Sequence, residues 1–213
     1  MREKKCVIFC AAEFSGLLEP VSPGDLVIAA DGGLRHTQAL GLRPDVVLGD
    51  FDSLGYVPEN ARVFPVEKDD TDSILAIRLG LQRGCNTFLL YGAMDGPRLD
   101  HTLANLQALR YLAQRGCRGY LIGEKQIATA FADTLEFPGE AAGVISLLTM
   151  GESACVTIHG LQYELEKGML TPDFPLGVSN HFVGKSACVQ VHSGIVTALW
   201  DRENGLAGKG ERK

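Results

Sequence analysis

Two short segments, Gly49-Asp50-Phe51-Asp52-Ser53 and Asp69-Asp70-Thr71-Asp72, bring five carboxylates to places where apolar runs give way to turns. Crowded like charges raise the free energy of ionising one another, so such a cluster calls for a cation. Oxygen-only ligands suit Mg²⁺, which proteins commonly hold through one or two carboxylates while a substrate's phosphates complete its shell. These residues therefore point to a chain that handles a nucleotide polyphosphate.

Further polar groups sit at comparable points. Asp31-Gly32-Gly33 ends the apolar run Leu26–Ala30, and Asp95, Arg98 and Asp100 follow a run that ends at Tyr91. In an open parallel sheet, ligands bind beyond the carboxyl ends of the strands. Gly32 and Gly33 let a backbone approach a ligand closely just before a helix that starts at Leu34, and bare amides at a helix start attract anions. The Arg98 guanidinium has the fork that holds a phosphate through two parallel bonds. Each feature has a plainer reading: Thr71 or Asp72 as a helix N-cap, Gly32-Gly33 as a tight turn, Arg98 as a partner of Asp95 or Asp100. Four successive strand ends delivering acids or glycines to one rim are better explained by a site.

The elements that must position these groups follow from periodicity. Short apolar runs at Cys6–Ala12, Asp25–Ala30, Asp45–Leu48, Ala61–Val66 and Thr87–Tyr91 suit parallel strands covered on both faces. Ser73–Arg83 and Leu103–Gln114 carry leucines and isoleucines at helical spacing, stopped by Gly84 and Gly116. After about Gly123 the helical period disappears. Ile127–Phe131, Gly143–Thr149, Ala154–His159 and Ala187–His192 read as strands, and Ser193-Gly194 reads as the turn of a β-hairpin closing on Ile195–Trp200. Trp200, the only tryptophan, reads as an edge residue of the last strand. The tail from Gly205 reads as frayed. The fold class is α/β: a parallel-sheet, three-layer nucleotide domain over residues 1–125, then a smaller all-β sandwich over residues 126–213.

Composition removes other classes. The chain has 213 residues, 46% of them hydrophobic, with a net charge of −6 and no basic patch, so nucleic acid is not an expected partner. The six cysteines are scattered without a CxxC, which argues against zinc and for free thiols in a reducing cytoplasm. The charged N-terminus leads into a first strand and not a signal peptide, and no apolar stretch is long enough to cross a membrane. Ser179–Ser186 imitates a phosphate-binding P-loop, but it lacks the first glycine and precedes a strand where that loop needs a helix. There is no GxGxxG, and no GxSxG elbow for acyl transfer.

In order and spacing, Ala30-Asp31-Gly32-Gly33, Pro44-Asp45 with Gly49–Ser53, Lys68–Asp72, and Gly92 to Arg98-Leu99-Asp100-His101 with Asn105 resemble the thiamine pyrophosphokinase family; Ser179-Asn180 before the closing strands resembles it too. The resemblance implies an α/β nucleotide domain and a β-sandwich domain that binds thiamine and forms a homodimer with sites at the interface. It implies ATP and thiamine as substrates, thiamine diphosphate and AMP as products, and Mg²⁺ on Asp50, Asp52 and Asp72. Asp100 joins these three as a catalytic residue, and Asp72 or Asp100 takes the hydroxyl proton. Asp31, Gly32, Gly33, Asp70 and Thr71 fall on the nucleotide side. Arg98, His101 and Asn105 match substrate contacts, and Ser179 and Asn180 match the thiamine side. Pro97 departs from a glycine common in the family and stiffens the loop carrying Arg98. Two rival readings use the same residues: another Mg²⁺-dependent nucleotide transferase, such as a pterin diphosphokinase or a DxD glycosyltransferase, and a non-catalytic nucleotide or thiamine sensor.

Overall fold

The computed structural model describes residues 4–51, 55–57, 62–63 and 70–209. The chain forms two compact units, one of residues 1–108 with 119–124 and one of residues 109–118 with 125–213.

The first unit is built from β1 (Lys5–Phe9), β2 (Leu26–Ala30), α1 (Leu34–Ala39), β3 (Val46–Gly49), β4 (Arg62–Val63), α2 (Asp72–Gln82), β5 (Thr87–Tyr91), the greater part of α3 (Leu99–Ala113), whose residues from 109 on belong to the second unit, and β6 (Arg118–Ile122). Its strands lie in the order β6-β5-β1-β2-β3-β4. β1 pairs in parallel with β2 and β5, β2 with β3, and β3 with β4. Cys6–Phe9, Leu26–Ala30 and Phe88–Tyr91 are buried throughout, as strands covered on both faces require. α2 buries Ala76, Ile77, Leu79 and Gly80. A Cβ at Gly80 would lie 2.5 Å from the Phe88 ring, so the glycine sets how closely α2 approaches β5.

The strand order reverses between β1 and β5. The chain walks from β1 outward through β4, then returns to the other side of β1 with β5 and β6. This is the switch point at which an open α/β sheet leaves a crevice beyond its strand ends. α3 starts at Leu99, four residues before the run predicted from periodicity, because its first turn is solvated. Leu99 is 70% and Leu103 46% exposed, while Ala108, Leu109 and Leu112 are buried. Asp100 and His101 therefore stand on a helix.

The second unit is almost entirely strand: β7 (Gln126–Phe131), β8 (Thr134–Phe137), β9 (Val144–Leu148), β10 (Ala154–His159), β11 (Leu165–Leu170), β12 (Asn180–His181), β13 (Ala187–Ser193), β14 (Val196–Asp201) and β15 (Gly208–Lys209). One sheet runs β12-β9-β14-β7 and the other β11-β10-β13-β8-β15. Phe137 of one sheet meets Trp200 of the other edge-on, with centroids 5.3 Å apart, and Phe182 joins them at 4.9 Å.

Three expectations change here. The segment Ala187–Trp200 is not a hairpin: β13 pairs with β10 and β8, whereas β14 pairs with β7 and β9 in the other sheet. The chain switches sheets at Gly194 (φ 81°), where a Cβ would lie 2.6 Å from the Ser153 carbonyl. Both strands present apolar side chains to the core between the sheets, and that burial outweighs the local pairing a short turn favours. Trp200 is fully buried in a central strand and not at an edge, and its indole donates to the Gly205 carbonyl at 2.9 Å. The start of the tail is ordered, since Gly208 and Lys209 pair with Glu136 and Leu135. The P-loop imitation leads into β13 and not a helix. Among the described residues no helix is long and apolar enough to cross a membrane, and all six cysteines are free.

Candidate active site

Strand register brings the acids together. Ala30 of β2 pairs with Leu48 of β3, so Asp31 and Gly49 leave the sheet side by side. A Cβ at Gly49 (φ 146°) would lie 3.1 Å from the Asp31 Cα, so only glycine allows this approach. Asp31 itself has φ 49° and Phe51 has φ 61°, a left-handed backbone that costs free energy in non-glycine residues and gathers at functional sites. Asp72 arrives from a third direction, as the first residue of α2. Carboxylate oxygens of Asp31, Asp50 and Asp72 all lie within 4.8 Å of one another, Asp31 buried and the other two half-buried. Asp31, expected on the nucleotide side, thus completes the acidic cluster. Asp52, expected within it, lies outside the described residues, as do Ser53, Lys68 and Asp69.

The cluster lines a cavity of about 680 Å³ in the first unit, at the β1/β5 switch point. Cys10, Ala11 and Ala12 after β1, Gly92 and Ala93 after β5, and Asp70, Thr71, Arg98, His101 and Asn105 also line it. Cys10 and the alanines were not predicted as site residues, although the strand-end rule applied to the central strand points to them. Burial, reinforced by the charges of Asp72 and Asp31, pushes the Cys10 thiol up to about 12.

Other groups are committed locally. Thr71, and not Asp72, is the N-cap of α2; its Oγ1 accepts from the Ile74 amide at 3.4 Å. Asp70 pairs with Arg78. Arg98 Nη2 donates to Asp100 Oδ2 at 2.7 Å and Nε to Oδ1 at 3.3 Å, a forked pair in open solvent. The Arg98 hydrogen bond holds the Asp100 carboxyl below its ordinary value and raises Arg98 in turn. Asp95 accepts the Glu124 amide at 2.6 Å. Gly32 and Gly33 form a 3-10 turn with Asp31 before the six-residue α1. A Cβ at Gly33 would sit 1.9 Å from the Phe9 carbonyl, so this glycine answers to β1 packing. Ser179 and Asn180 belong to the second unit. Ser179 (φ 59°) donates its amide to Ser146 Oγ at 3.1 Å. The Asn180 amide donates to the Tyr163 carbonyl at 2.7 Å and accepts from the Tyr163 and His181 amides.

A parallel α/β sheet with three converging carboxylates at its switch point, followed by a β-rich unit, defines a protein built to hold a highly charged small ligand. Residues 20–121 match the family model described as "Thiamin pyrophosphokinase, catalytic domain", and residues 134–196 match "Thiamin pyrophosphokinase, vitamin B1 binding domain". A curated thiamine pyrophosphokinase of Bacillus subtilis is 26% identical over 193 residues, 82% of this chain and 86% of the relative. The crystal structure of a B. subtilis thiamine pyrophosphokinase superposes with a TM-score of 0.79 at 22% identity, covering 93% of this chain and 99% of that one. That from Geobacillus thermodenitrificans gives 0.75 at 21% identity, covering 92% and 96%. The chain belongs to the thiamine pyrophosphokinase family, and so to the enzymes of thiamine diphosphate synthesis.

Proposed function

We propose that the enzyme transfers the terminal diphosphate of ATP to the hydroxyethyl oxygen of thiamine, giving thiamine diphosphate and AMP. The observation that carries this reading is the convergence of Asp31, Asp50 and Asp72 on one cavity that Thr71 and Arg98 also line. The donor set fits Mg²⁺: the clustered ligand atoms are all carboxylate oxygens, with no thiol or imidazole in the group. Asp31, Asp50 and Asp72 would hold the ion, with Asp52 as a further ligand. When bound it neutralises phosphate charge and favours departure of AMP.

The protein's own groups do the positioning, which is most of the work in phosphoryl transfer. Arg98 holds diphosphate oxygens through its fork. The start of α2, capped by Thr71, favours negative charge beside it. The thiamine hydroxyl oxygen attacks the β-phosphorus, the bond to the α–β bridging oxygen breaks, and AMP leaves with that electron pair. Once Arg98 engages phosphate, Asp100 is released as the acceptor of the hydroxyl proton. The carboxylates also suit the cationic thiazolium. His101 and Asn105 stand at the same cavity, with Asp70 beside Thr71.

We place Ser179 and Asn180 on the thiamine side of a cytoplasmic homodimer with sites at the interface. Large exposed apolar side chains of the second unit, Tyr163, Met169 and Phe174, support an interface there. The test is AMP release from ATP with Mg²⁺, with and without thiamine. Release should require thiamine, and Asp50→Asn should lower kcat by about 10²-fold or more with an unchanged circular dichroism spectrum. Normal turnover in that variant, or a pterin alcohol replacing thiamine as the acceptor, would defeat the proposal.

A further inference from the structure

The acidic cluster needs a restraint. Three carboxylates within 4.8 Å repel one another, and Asp72 stands at the first position of α2. Buried Ala76 and Ile77 fix the body of α2 against the sheet, and polar bonds tie its start. A polar relay, buried at Ser73 and Asn105, supplies them. Thr71 Oγ1 lies 3.0 Å from Ser73 Oγ, Ser73 Oγ donates to Asn105 Oδ1 at 2.7 Å, and Asn105 Nδ2 donates to the Ala93 carbonyl at 2.7 Å.

The direction of the relay is determined. The Ala93 carbonyl can only accept, so the Asn105 amide nitrogen faces it and its oxygen faces Ser73. The single Ser73 proton then goes to Asn105, and Thr71 donates to Ser73. Ser73 is 8% and Asn105 7% exposed, which strengthens the bonds and makes their loss costly. The relay ties together the start of α2, the body of α3 and the segment after β5.

We infer that Ser73, acting through Asn105, is a positioning residue that holds Asp72 within the carboxylate cluster. The inference rests on the proposed role of that cluster as a divalent-cation site. It assigns both polar ends of Asn105 to the scaffold. Without the Ser73 hydroxyl, the start of α2 loses its tie to α3 and Asp72 backs away from Asp31 and Asp50.

The experiment measures Mn²⁺ affinity by electron paramagnetic resonance without nucleotide, beside kcat, KM for thiamine and the melting temperature. Ser73→Ala should weaken Mn²⁺ binding by about tenfold or more, the usual scale for residues that orient metal ligands. It should lower kcat and leave KM for thiamine near that of the parent protein. Ser73→Thr, which keeps the hydroxyl, should restore Mn²⁺ affinity. If the alanine variant does not fold, Ser73→Cys fills the same space with a weaker hydrogen-bonding group and should show the same loss. Parental Mn²⁺ affinity in a folded Ser73→Ala or Ser73→Cys protein would overturn the relay alone. Failure of the parent protein to bind Mn²⁺ would overturn the cation reading and the relay with it.

Discussion

Cys10 reports the field of the site at the scale of one residue. It follows the central strand β1, its backbone amide is bonded to the Tyr91 carbonyl at 2.8 Å, it lines the cavity, and its buried thiol feels the charges of Asp72 and Asp31. Burial first, and the two carboxylates second, raise its pKa from 9.0 to about 12. A folded-state value above the unfolded one means stability that is complete below pH 9 and is lost as pH climbs toward 12, because the unfolded chain ionises first. The stability difference between the parent protein and Cys10→Ala should therefore shrink across that window in denaturant titrations. At pH 8, Cys10 should resist iodoacetamide while the partly exposed Cys117 and Cys155 react, as read by peptide mass spectrometry. Ready labelling of Cys10 in the folded protein would contradict this picture of its surroundings.

At the scale of elements, the site depends on how closely helices and strand ends approach. Gly33 is the tightest case. Replacing it with alanine places a methyl group 1.9 Å from the Phe9 carbonyl, backbone against backbone, with no flexible side chain to yield. Gly33→Ala should destabilise the first unit by about 3 kcal/mol, measurable as a lower melting temperature. Ser15→Ala, at an exposed position, serves as the control and should leave the melting temperature unchanged. Much of this was legible in the sequence. Runs apolar on both faces marked the buried parallel strands, and acids clustered at their ends marked the rim. The rest was not, for physical reasons. The first turn of α3 faces solvent, and its single apolar residue before Leu103, Leu99, makes no period by itself. Gly33 looked like a ligand contact because a glycine kept for backbone packing has the same letter as one kept for phosphate. Ser73 looked like a helix-starting serine, since a relay to Asn105, 32 positions away, leaves no local pattern. The hairpin reading failed because alternation gives the inward face of a strand but not the sheet it joins.

At the scale of the whole molecule, the two units divide the work in the proposed reaction. The first carries the carboxylates, Arg98 and the capped start of α2. The second encloses an aromatic core of Phe137, Phe182 and Trp200 between its sheets and carries Ser179 and Asn180. The central claim is that a diphosphate moves as one unit, which requires attack at the β-phosphorus and AMP as the leaving group. The most direct test uses ATP labelled in its β-phosphate, with thiamine and Mg²⁺, and follows the label by chromatography. The account predicts label in thiamine diphosphate and unlabelled AMP in equal amount, with both lost together in Asp50→Asn. Label retained in ADP, with thiamine monophosphate as the other product, would contradict it.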